Sequence, residues 1–433
     1  MARIELTFKP GVTTEVEIED QNLIFYAEQR KTTEAPYQSQ LVKTALDNPI
    51  STPRLIELIK PDENVVIIVD DFTRPTPAAA ILPAVLKQVH QAGVPQNGVK
   101  ILIAAGTHRP MSDDELAPKL GMEIHSGYKV LNHDYQEGPF VHLGHTENGI
   151  PVEVNEQVIK ADFKIAIGNV VPHTSAGWGG GSKIILPGVC SYRTTEMMHI
   201  RACMNQPILE VPGTRNTQTR HEMDDIAAKV GLDFIVNTVL DDDGNMAAVF
   251  AGHFIEAHKA ACNFAQRTQI IPIPAQADIL IASANPCHFD FWQGLKPYIY
   301  SHLAVREGGI IIFLLDGAEG LCGDAPSHEV TLRKYLLWSF EDQKAAVDRG
   351  EVIDLIGIHA TIQHSQVRQR VKKTFCVSNH ISPEEIAVLG FDSAPSVQDA
   401  LNSAYDILGR EAKVGVIPYG GETLVQLVSH ETE

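Results

Sequence analysis

The chain has 433 residues, of which 44% are hydrophobic and 21% charged, and its formal net charge at pH 7 is -19. This length is sufficient for two or three domains, and this composition is typical of folded globular proteins rather than disordered or fibrous ones. The acidic balance argues against a nucleic-acid partner, because binding a phosphate backbone requires a basic surface.

The start, MARIELTFKPG, has no basic segment followed by an apolar one, and no stretch has the 18 or more uncharged apolar residues of a membrane span. We therefore expect a cytoplasmic protein without a membrane partner. The six cysteines show neither a CxxC pair nor regular spacing, which favours reduced, structural thiols over a disulfide framework.

The first strongly patterned elements form a βαβ unit. NVVIIVD (64–70) and VKILIAA (99–105) are apolar runs typical of buried strands, and PAAAILPAVLKQVHQAG (77–93) between them has helical spacing and ends at a glycine. A crossover of this kind implies a parallel sheet. FKIAIGN (163–169) is predicted to be another strand of that sheet.

A second unit follows the proline-punctuated segment IIPIPAQ (270–276). It contains the predicted strands ADILIAS (277–283) and GIIIFLL (309–315), with a helical stretch between them from about residue 298 to 306. KVGVIP (413–418) is the last strand-like run.

The fold class is therefore α/β, with two Rossmann-like domains, mainly parallel sheets, and an active-site crevice between the domains. We predict an N-terminal cofactor-binding domain over residues 1–270, joined by the C-terminal segment 411–433. Residues 271–410 form the predicted C-terminal domain.

Polar motifs follow the three predicted strands of the first domain. DDFTRPTP (70–77), GTHRP (106–110) and HTSAGWGGGSK (173–183) each come where a strand ends. Ligands of open α/β sheets bind beyond the carboxyl ends of the strands. We therefore expect the three loops to face one crevice.

The residue types in the first two loops suit the binding of an anion and the transfer of a proton. Arg74 could bind a carboxylate or phosphate, and Asp71 and Thr73 lie beside it, although acidic residues there could equally cap a helix. His108 and His173 could act as acid and base, and a structural role is the alternative for each.

The glycine-rich segment suggests a ligand close to the backbone. Gly179, Gly180 and Gly181 could cradle a phosphate on their N–H groups, but the order of a P-loop is missing. Lys183, after Ser182, could be a charge clamp or a nucleophile.

Two further stretches of the sequence contain candidate functional residues. His199 has helical spacing within SYRTTEMMHIRACMN and could be packed or functional. Gln293 and Lys296, in FWQGLKPY (291–298), are predicted to lie in a loop that enters a helix. They could face one ligand or simply be surface residues at a helix start.

Together, DDFTRPTP, GTHRP, PHTSAGWGGGSKIILPGV with the later His199, and QGLK resemble the lactate racemase family. The resemblance runs from about residue 64 to residue 300 and extends toward the end. The glycine-rich lysine segment with its downstream histidine is its most specific part.

The resemblance implies a nickel-pincer nucleotide, a Ni(II) pyridinium-3,5-bisthiocarboxylic acid mononucleotide, joined covalently to Lys183 through a thioamide. His199 would be the fourth nickel ligand. Thr73, Ser182 and the three glycines would contact the cofactor. It also implies cofactor-synthesis proteins as partners, and an apo protein wherever they are missing.

The resemblance further implies inversion of the C2 centre of a small-molecule 2-hydroxy acid. His108 or His173 would remove the hydroxyl proton while the hydrogen on the same carbon leaves as hydride, giving a 2-keto acid. Arg74 would bind the substrate carboxylate and Asp71 would orient His108 or the arginine. Gln293 and Lys296 would contact the substrate from the second domain.

One departure from the family concerns the substrate. A tryptophan expected within VIDLIGIHATIQHSQ (352–366) is missing, and Ile356, Ile358, His359 and Gln363 stand there instead. This favours a larger or more polar acid than lactate, such as malate or a sugar acid.

Two alternatives of other classes stay open. One is a hydrolase or lyase with a single metal ion bound by His108, His173 and His199. The other is a non-catalytic protein that binds anionic metabolites.

Overall fold

The computed structural model describes residues 1–29, 38–205 and 208–428. The chain forms two compact units. The unit that carries Lys183 comprises Lys31–Ala202 and Thr214–Arg267, and it is called the inner unit below because its segments lie between those of the other unit in the sequence. The other unit, named the enclosing unit for this sequence order alone, comprises Met1–Arg30, Cys203–Gly213 and Thr268–Glu433.

The strands of the described residues are numbered in chain order. They are β1 (Ala2–Lys9), β2 (Val12–Ile18), β3 (Leu23–Tyr26), β4 (Val65–Asp70), β5 (Val99–Ala104), β6 (Lys129–Asn132), β7 (Phe140–His145), β8 (Pro151–Asn155), β9 (Phe163–Asn169), β10 (Pro172–His173), β11 (Gly177–Trp178), β12 (Phe234–Leu240), β13 (Met246–Gly252), β14 (Ile270–Ile273), β15 (Ala277–Ser283), β16 (Val305–Leu315), β17 (Lys373–Ser378), β18 (Asp392–Ser393), β19 (Val414–Ile417) and β20 (Leu424–Leu427).

The α-helices of the same residues are numbered likewise. They are α1 (Gln38–Asp47), α2 (Leu55–Leu58), α3 (Ala78–Gln91), α4 (Asp113–Leu120), α5 (Met122–Gly127), α6 (Glu156–Ile159), α7 (Tyr192–Asn205), α8 (Gln218–Val230), α9 (Glu256–Gln269), α10 (Phe291–Tyr300), α11 (Glu329–Tyr335), α12 (Phe340–Asp348), α13 (Leu355–Arg370), α14 (Pro383–Val388) and α15 (Val397–Leu408).

The inner unit is built on a six-stranded sheet of order β13-β12-β9-β4-β5-β6. Its pairs are parallel except for the edge pair β12–β13. From β4 the chain adds β5 and β6 on one side and later β9 and β12 on the other. The strand order therefore reverses between β4 and β9, which is where open α/β sheets bind their ligands.

The enclosing unit has a second six-stranded sheet, of order β18-β17-β16-β15-β19-β3, in which every pair is parallel. Its edge strand β3 is near the chain start, whereas its neighbour β19 is near the end. Two smaller pairs accompany this sheet, the antiparallel hairpin β1–β2 and the parallel pair β14–β20.

Both sheets are covered on both faces by apolar side chains. In the inner unit, one face packs against α1 to α4 and the other against the segment around Ile184–Val189 and helices α7 and α8. In the enclosing unit, one face packs against α10, α11 and α13, and the other against the β1–β2 hairpin and α15. Double coverage explains why β4, β9 and β12 are buried at every position and lack polar alternation.

Two predictions about organisation are wrong. The segment 411–433 does not join the first domain, because β19 lies between β15 and β3 in the sheet of the enclosing unit. Residues 1–29 belong to that unit as well, so the first domain does not begin at residue 1.

The helix predicted from about residue 298 is also misplaced, since α10 spans Phe291–Tyr300 and β16 already begins at Val305. Asp290 explains the earlier start, because its side chain accepts a hydrogen bond from the backbone N–H of Gln293 and so caps the helix. Gln293 and Lys296 therefore lie within the helix, not in a loop before it.

All six cysteines are free and buried, as the sequence predicts. Among the described residues, no helix combines the length and apolar character needed to cross a membrane.

Candidate active site

The loop after β4 is held in place by a buried lysine. The Lys119 ammonium, on α4, donates to the Asp70 carboxylate at 2.9 Å and to the backbone carbonyls of Asp71 and Arg74 at 3.0 and 2.8 Å. Asp70 also accepts a hydrogen bond from Thr76 at 2.5 Å. These contacts fix the backbone from which Asp71 and Arg74 project.

The same loop is hydrogen-bonded to the loop after β5 through an aspartate–histidine pair. His108 Nδ1 lies 2.6 Å from Asp71 Oδ2, and the Asp71 carboxylate also accepts from the Thr73 hydroxyl at 2.6 Å. A second link is the guanidinium of Arg109, which lies 4.1 Å over the ring of Phe72. The structure thus brings Asp71, Thr73 and His108 together.

The aspartate sets the tautomer of His108. A carboxylate only accepts hydrogen bonds, so the neutral imidazole carries its proton on Nδ1 and its basic lone pair on Nε2. Burial opposes ionisation of Asp71, but the charge and hydrogen bond of His108, with Arg74 and Thr73, hold the pKa of this carboxyl well below its usual range. Asp71 is therefore ionised at neutral pH and stabilises a His108 imidazolium.

Arg74 is half-buried, and one of its terminal nitrogens donates to the hydroxyl and the carbonyl of Thr73 at 2.8 and 3.1 Å. These contacts orient the planar guanidinium on the same loop as Asp71. An arginine held in this way suits a carboxylate ligand, which it can bind through two parallel hydrogen bonds.

His173 follows β9 and has the opposite tautomer. It lies on β10, which pairs with β11 and so forms a short hairpin leading into the glycine-rich segment. The backbone N–H groups of Ser175 and Ala176 both donate to His173 Nδ1 at 3.2 Å. The neutral ring therefore carries its proton on Nε2, and in this conformation it donates from Nε2 rather than accepting there.

The glycines are needed for packing within the protein, which differs from the reason inferred from the sequence. A Cβ on Gly180 would lie 2.8 Å from Val170, and one on Gly181 would lie 2.7 Å from His258. The N–H groups of Gly179 and Gly181 already donate to the carbonyl of Val171 and to the side chain of Asn237. The expectation that these two N–H groups are exposed to a phosphate is wrong.

The backbone carbonyls of the glycine-rich segment are bound by a buried arginine and a buried histidine. Arg220, on α8, is fully buried and donates to the carbonyls of Trp178 and Gly180, and His258 Nε2 donates to that of Gly179 at 2.8 Å. Burial lowers the pKa of Arg220 to about 10, which leaves it charged at neutral pH. Burial and the charge of Arg220 lower the pKa of His258 well below its usual range, so its ring is neutral.

Ser182 is held by the same part of the inner unit. Its hydroxyl donates to Asp224 at 2.6 Å, and the other oxygen of that carboxylate accepts from Arg215 at 3.0 Å. Ser182 is fully buried, whereas Lys183 beside it is partly exposed. The partly exposed Lys183 thus follows residues whose polar groups are bound within the protein.

Lys183 is connected through the backbone to the His108 loop. The N–H of Gly188 donates to the carbonyl of Lys183 at 3.3 Å, and the carbonyl of Gly188 accepts from Gly106 at 3.0 Å. Gly106 is two residues before His108. The loop with the histidine and the turn with the lysine are therefore joined by two hydrogen bonds.

This connection predicts that Gly188→Ala destabilises the turn. A Cβ there would overlap the carbonyl oxygen of Ile184 and lie 2.7 Å from its carbonyl carbon, so the backbone must move. We expect a loss of about 1–3 kcal/mol, the usual range for overpacking, measured as a lower unfolding temperature of the apo protein. Gly168→Ala is the matched control, because its Cβ would lie 3.5 Å from its nearest neighbour. Equal unfolding temperatures for the two variants would contradict the prediction.

His199 lies on α7 and has the arrangement of a metal-binding histidine. Its Nδ1 lies 2.8 Å from the backbone carbonyl of Thr195, so Nδ1 carries the proton and the lone pair is on Nε2. Histidines that bind metals commonly donate their other N–H to a carbonyl in this way. Its neighbour Met198 shares an apolar cluster with Ile184, which adjoins Lys183. This orientation leaves Nε2 as the nitrogen through which His199 would bind a metal.

Gln293 and Lys296 lie on the first turns of α10 in the enclosing unit. Gln293 is buried, its Nε2 donates to Asp324 at 2.6 Å, and its Oε1 accepts from the Lys296 ammonium. The alternative that both are simply surface residues is wrong for Gln293, since 1% of it is exposed.

The three-histidine metal site has no support in the geometry. Among the described residues, which include His108, His173 and His199, no three His, Cys, Asp or Glu side chains are grouped to hold a metal ion. A metal at His199 therefore needs ligands that are not side chains of this kind.

Comparison with known proteins agrees with the motifs. Residues 11–211 match the family profile of the lactate racemase N-terminal domain, and residues 273–425 match that of the lactate racemase C-terminal domain. The lactate racemase of Thermoanaerobacterium thermosaccharolyticum is 30% identical, over 90% of this chain and 91% of its own. The chain belongs to the lactate racemase family.

Other relatives agree with this assignment. The lactate racemase of Lactiplantibacillus plantarum is 29% identical, over 98% of this chain and 100% of its own. The structure of the lactate racemase apoprotein from T. thermosaccharolyticum matches with a TM-score of 0.87 and 27% identity, covering 98% of this chain and 100% of that one. A Thermotoga maritima protein of 18% identity shares the fold, with a TM-score of 0.71 and coverage of 92% and 100%.

Membership of the lactate racemase family makes the protein an isomerase. The comparisons thereby confirm the family and the two-domain α/β fold predicted from the sequence. The roles of individual site residues stay predictions and are taken up below.

Proposed function

We propose that the protein inverts the C2 centre of a 2-hydroxy acid with a nickel-pincer nucleotide bound at Lys183. The observation that carries the proposal is the connected path from Asp71 through His108, Gly106 and Gly188 to Lys183. It joins a base of defined tautomer to an accessible lysine. A non-catalytic protein that binds anionic metabolites would not need a histidine oriented by a carboxylate, and neither would a lysine that only binds a phosphate.

The residues that would hold the cofactor are Lys183, through its amine, and His199, through Nε2. When bound, the group supplies an acceptor and donor of hydride at the substrate carbon. Thr73, Ser182 and the glycines 179–181 remain proposed cofactor contacts. For Ser182, Gly179 and Gly181 we propose only van der Waals contact with the cofactor, because their polar groups are bound within the protein.

The chemistry of the protein's own groups begins at His108. Its Nε2 accepts the proton of the substrate hydroxyl, and the Asp71 carboxylate stabilises the imidazolium that forms. Arg74 binds the substrate carboxylate on two hydrogen bonds and so fixes which face of C2 is presented. Gln293 and Lys296 are proposed to bind further oxygen atoms of the substrate.

His173 is proposed to serve the substrate of opposite hand, and the two histidines are not equivalent. In the tautomer described, His173 donates a hydrogen bond from Nε2 to the oxygen on C2. Accepting a proton there requires the Nδ1 tautomer, which means giving up the hydrogen bonds from Ser175 and Ala176. We therefore propose that His108 is arranged to accept a proton at Nε2, whereas His173 is arranged to donate one there.

The substrate is proposed to be lactate or a larger, more polar 2-hydroxy acid. The second possibility rests on the departure at residues 352–366, where Ile356, Ile358, His359 and Gln363 stand on the buried part of α13 in place of the expected tryptophan. Loss of optical rotation by the holoprotein with lactate, malate, phenyllactate and gluconate would separate these substrates.

The decisive experiment is the mass of the protein made together with cofactor-synthesis proteins. We expect an adduct on the peptide that contains Lys183, with nickel in the intact protein, and racemisation that depends on both. Lys183→Arg is the matched control, since it keeps the positive charge but cannot form a thioamide. An unmodified Lys183 in that host, or an active Lys183→Arg variant, would contradict the proposal.

A further inference from the structure

Two buried carboxyl groups lie at the start of α10. Asp290 and Asp324 are fully buried. Asp290 accepts from the backbone N–H of Gln293 at 2.8 Å through one oxygen and from that of Asp324 at 3.0 Å through the other. The Asp290 carboxylate is thus held against the backbone of Asp324, whose own carboxyl group is also buried.

The electrostatics of the pair agree with a shared proton. Burial, and then the charge of Asp324, raise the pKa of Asp290 well above its usual range. Two carboxyl groups in contact in a buried site cannot both be ionised at low cost. A single proton shared by the two carboxyl groups would remove this cost.

Asp324 and Lys296 fix the orientation of the Gln293 side-chain amide. Asp324 accepts from Gln293 Nε2 at 2.6 Å, and the Lys296 ammonium donates to Gln293 Oε1. A carboxylate only accepts and an ammonium only donates, so neither contact survives if the amide is turned over. The chain from Asp290 through Asp324 and Gln293 to Lys296 is thus a directed series of hydrogen bonds.

We propose that Asp290 and Asp324 are a proton-sharing pair that positions Lys296 for the substrate. Asp324 orients the Gln293 amide, whose oxygen anchors the Lys296 ammonium, and Asp290 supplies the proton that lets two carboxyl groups share the site. The pair acts through Gln293 and does not touch the substrate. This inference rests on the proposed role of Lys296 in substrate binding.

Two substitutions of Asp324 separate its charge from its hydrogen-bonding role. Asp324→Asn keeps an oxygen that accepts from Gln293 Nε2, so the amide of Gln293 stays oriented. The new N–H₂ group can donate to the Asp290 carboxylate, which therefore no longer needs to be protonated. Asp324→Leu removes the acceptor and frees the amide to turn. The two side chains are similar in size, which makes them a matched pair.

The first measurement is the infrared C=O stretch of a protonated carboxylic acid in the apo protein at pH 7. We expect it in the wild type and expect its loss in Asp324→Asn. If the wild type has no such band, or if Asp324→Asn leaves it unchanged, the shared proton is refuted. This test does not depend on activity or on the folding of Asp324→Leu.

The second measurement is steady-state racemisation by the holoprotein, with the 2-hydroxy acid that it converts fastest. Asp324→Leu is expected to raise KM by about tenfold to a hundredfold with little change in kcat, the effect of losing a charge-assisted hydrogen bond. Asp324→Asn should restore KM to near the wild-type value. Equal losses in both variants, or a fall in kcat alone, would mean that the pair is merely structural.

Lys296→Ala distinguishes failure of this inference from failure of the proposed function. A raised KM in Lys296→Ala, with an unchanged KM in Asp324→Leu, overturns only the positioning role of the pair. An unchanged KM in Lys296→Ala overturns the substrate contact on which that role depends. Neither result bears on the adduct at Lys183.

Discussion

Asp71→Asn is expected to lower kcat for racemisation by about two to four powers of ten, the range for a misplaced acid or base. The asparagine can donate its N–H₂ group to His108 Nδ1, and the imidazole then carries its proton on Nε2, where the base is needed. The tautomer can be measured directly from the ¹⁵N chemical shifts of the imidazole in the apo protein. We expect the proton on Nδ1 in the wild type and on Nε2 in the variant.

Asp70→Asn is the matched control for this prediction. The two carboxylates are adjacent, but Asp70 contacts Lys119 and Thr76, whereas Asp71 contacts His108. Asp70→Asn should therefore lower the unfolding temperature without changing the tautomer of His108. A wild-type His108 with its proton on Nε2, or full activity in Asp71→Asn, would refute the proposed base.

Arg220→Met is expected to loosen the segment that carries Lys183. The substitution leaves the buried carbonyls of Trp178 and Gly180 without their donor, at a cost of about 2–5 kcal/mol. Hydrogen exchange at the N–H groups of Gly179 and Gly181 reports this local opening. We expect faster exchange there and a lower yield of the Lys183 adduct.

Arg215→Met is the control for Arg220. Arg215 is a second cation of this region and only partly buried, and it donates to Asp224 and His258 rather than to the carbonyls of the glycine-rich segment. Its removal should change exchange at Gly179 and Gly181 much less. Equal exchange in the two variants would show that Arg220 does not hold the turn.

The sequence predicts the buried strands well, because double coverage makes them continuous apolar runs. FKIAIGN and ADILIAS coincide with β9 and β15, and NVVIIVD differs from β4 by one residue. The sequence does not predict which sheet a strand joins. β3 and β19 are short runs whose pairing is decided by partners far away in the chain, and periodicity carries no information about that.

Some residues of the candidate site can likewise be predicted from the sequence, and others cannot. Asp71 and His108 are recognisable because they stand in loops after buried strands, and His173 and Lys183 because they flank the glycine-rich segment that follows β9. Lys119 and Arg220 were missed, since each is a single cation on a helix whose function is visible only from the carbonyls that it contacts. The glycine-rich segment was singled out for a wrong reason, namely the binding of a phosphate. The space that a Cβ would need at Gly180 and Gly181 is instead occupied by Val170 and His258.

The pairing of β3 with β19 has a consequence for the order of events during synthesis. Leu23 of β3 is synthesised early, but it pairs with Val414 of β19, so this edge of the sheet can form only after nearly the whole chain has been made. By contrast, all strands of the inner unit's sheet have been synthesised once the chain reaches Gly252. Domains generally fold as units while the chain grows. The nascent chain can thus form the Lys183 turn while the strands that complete the other sheet are still to be made.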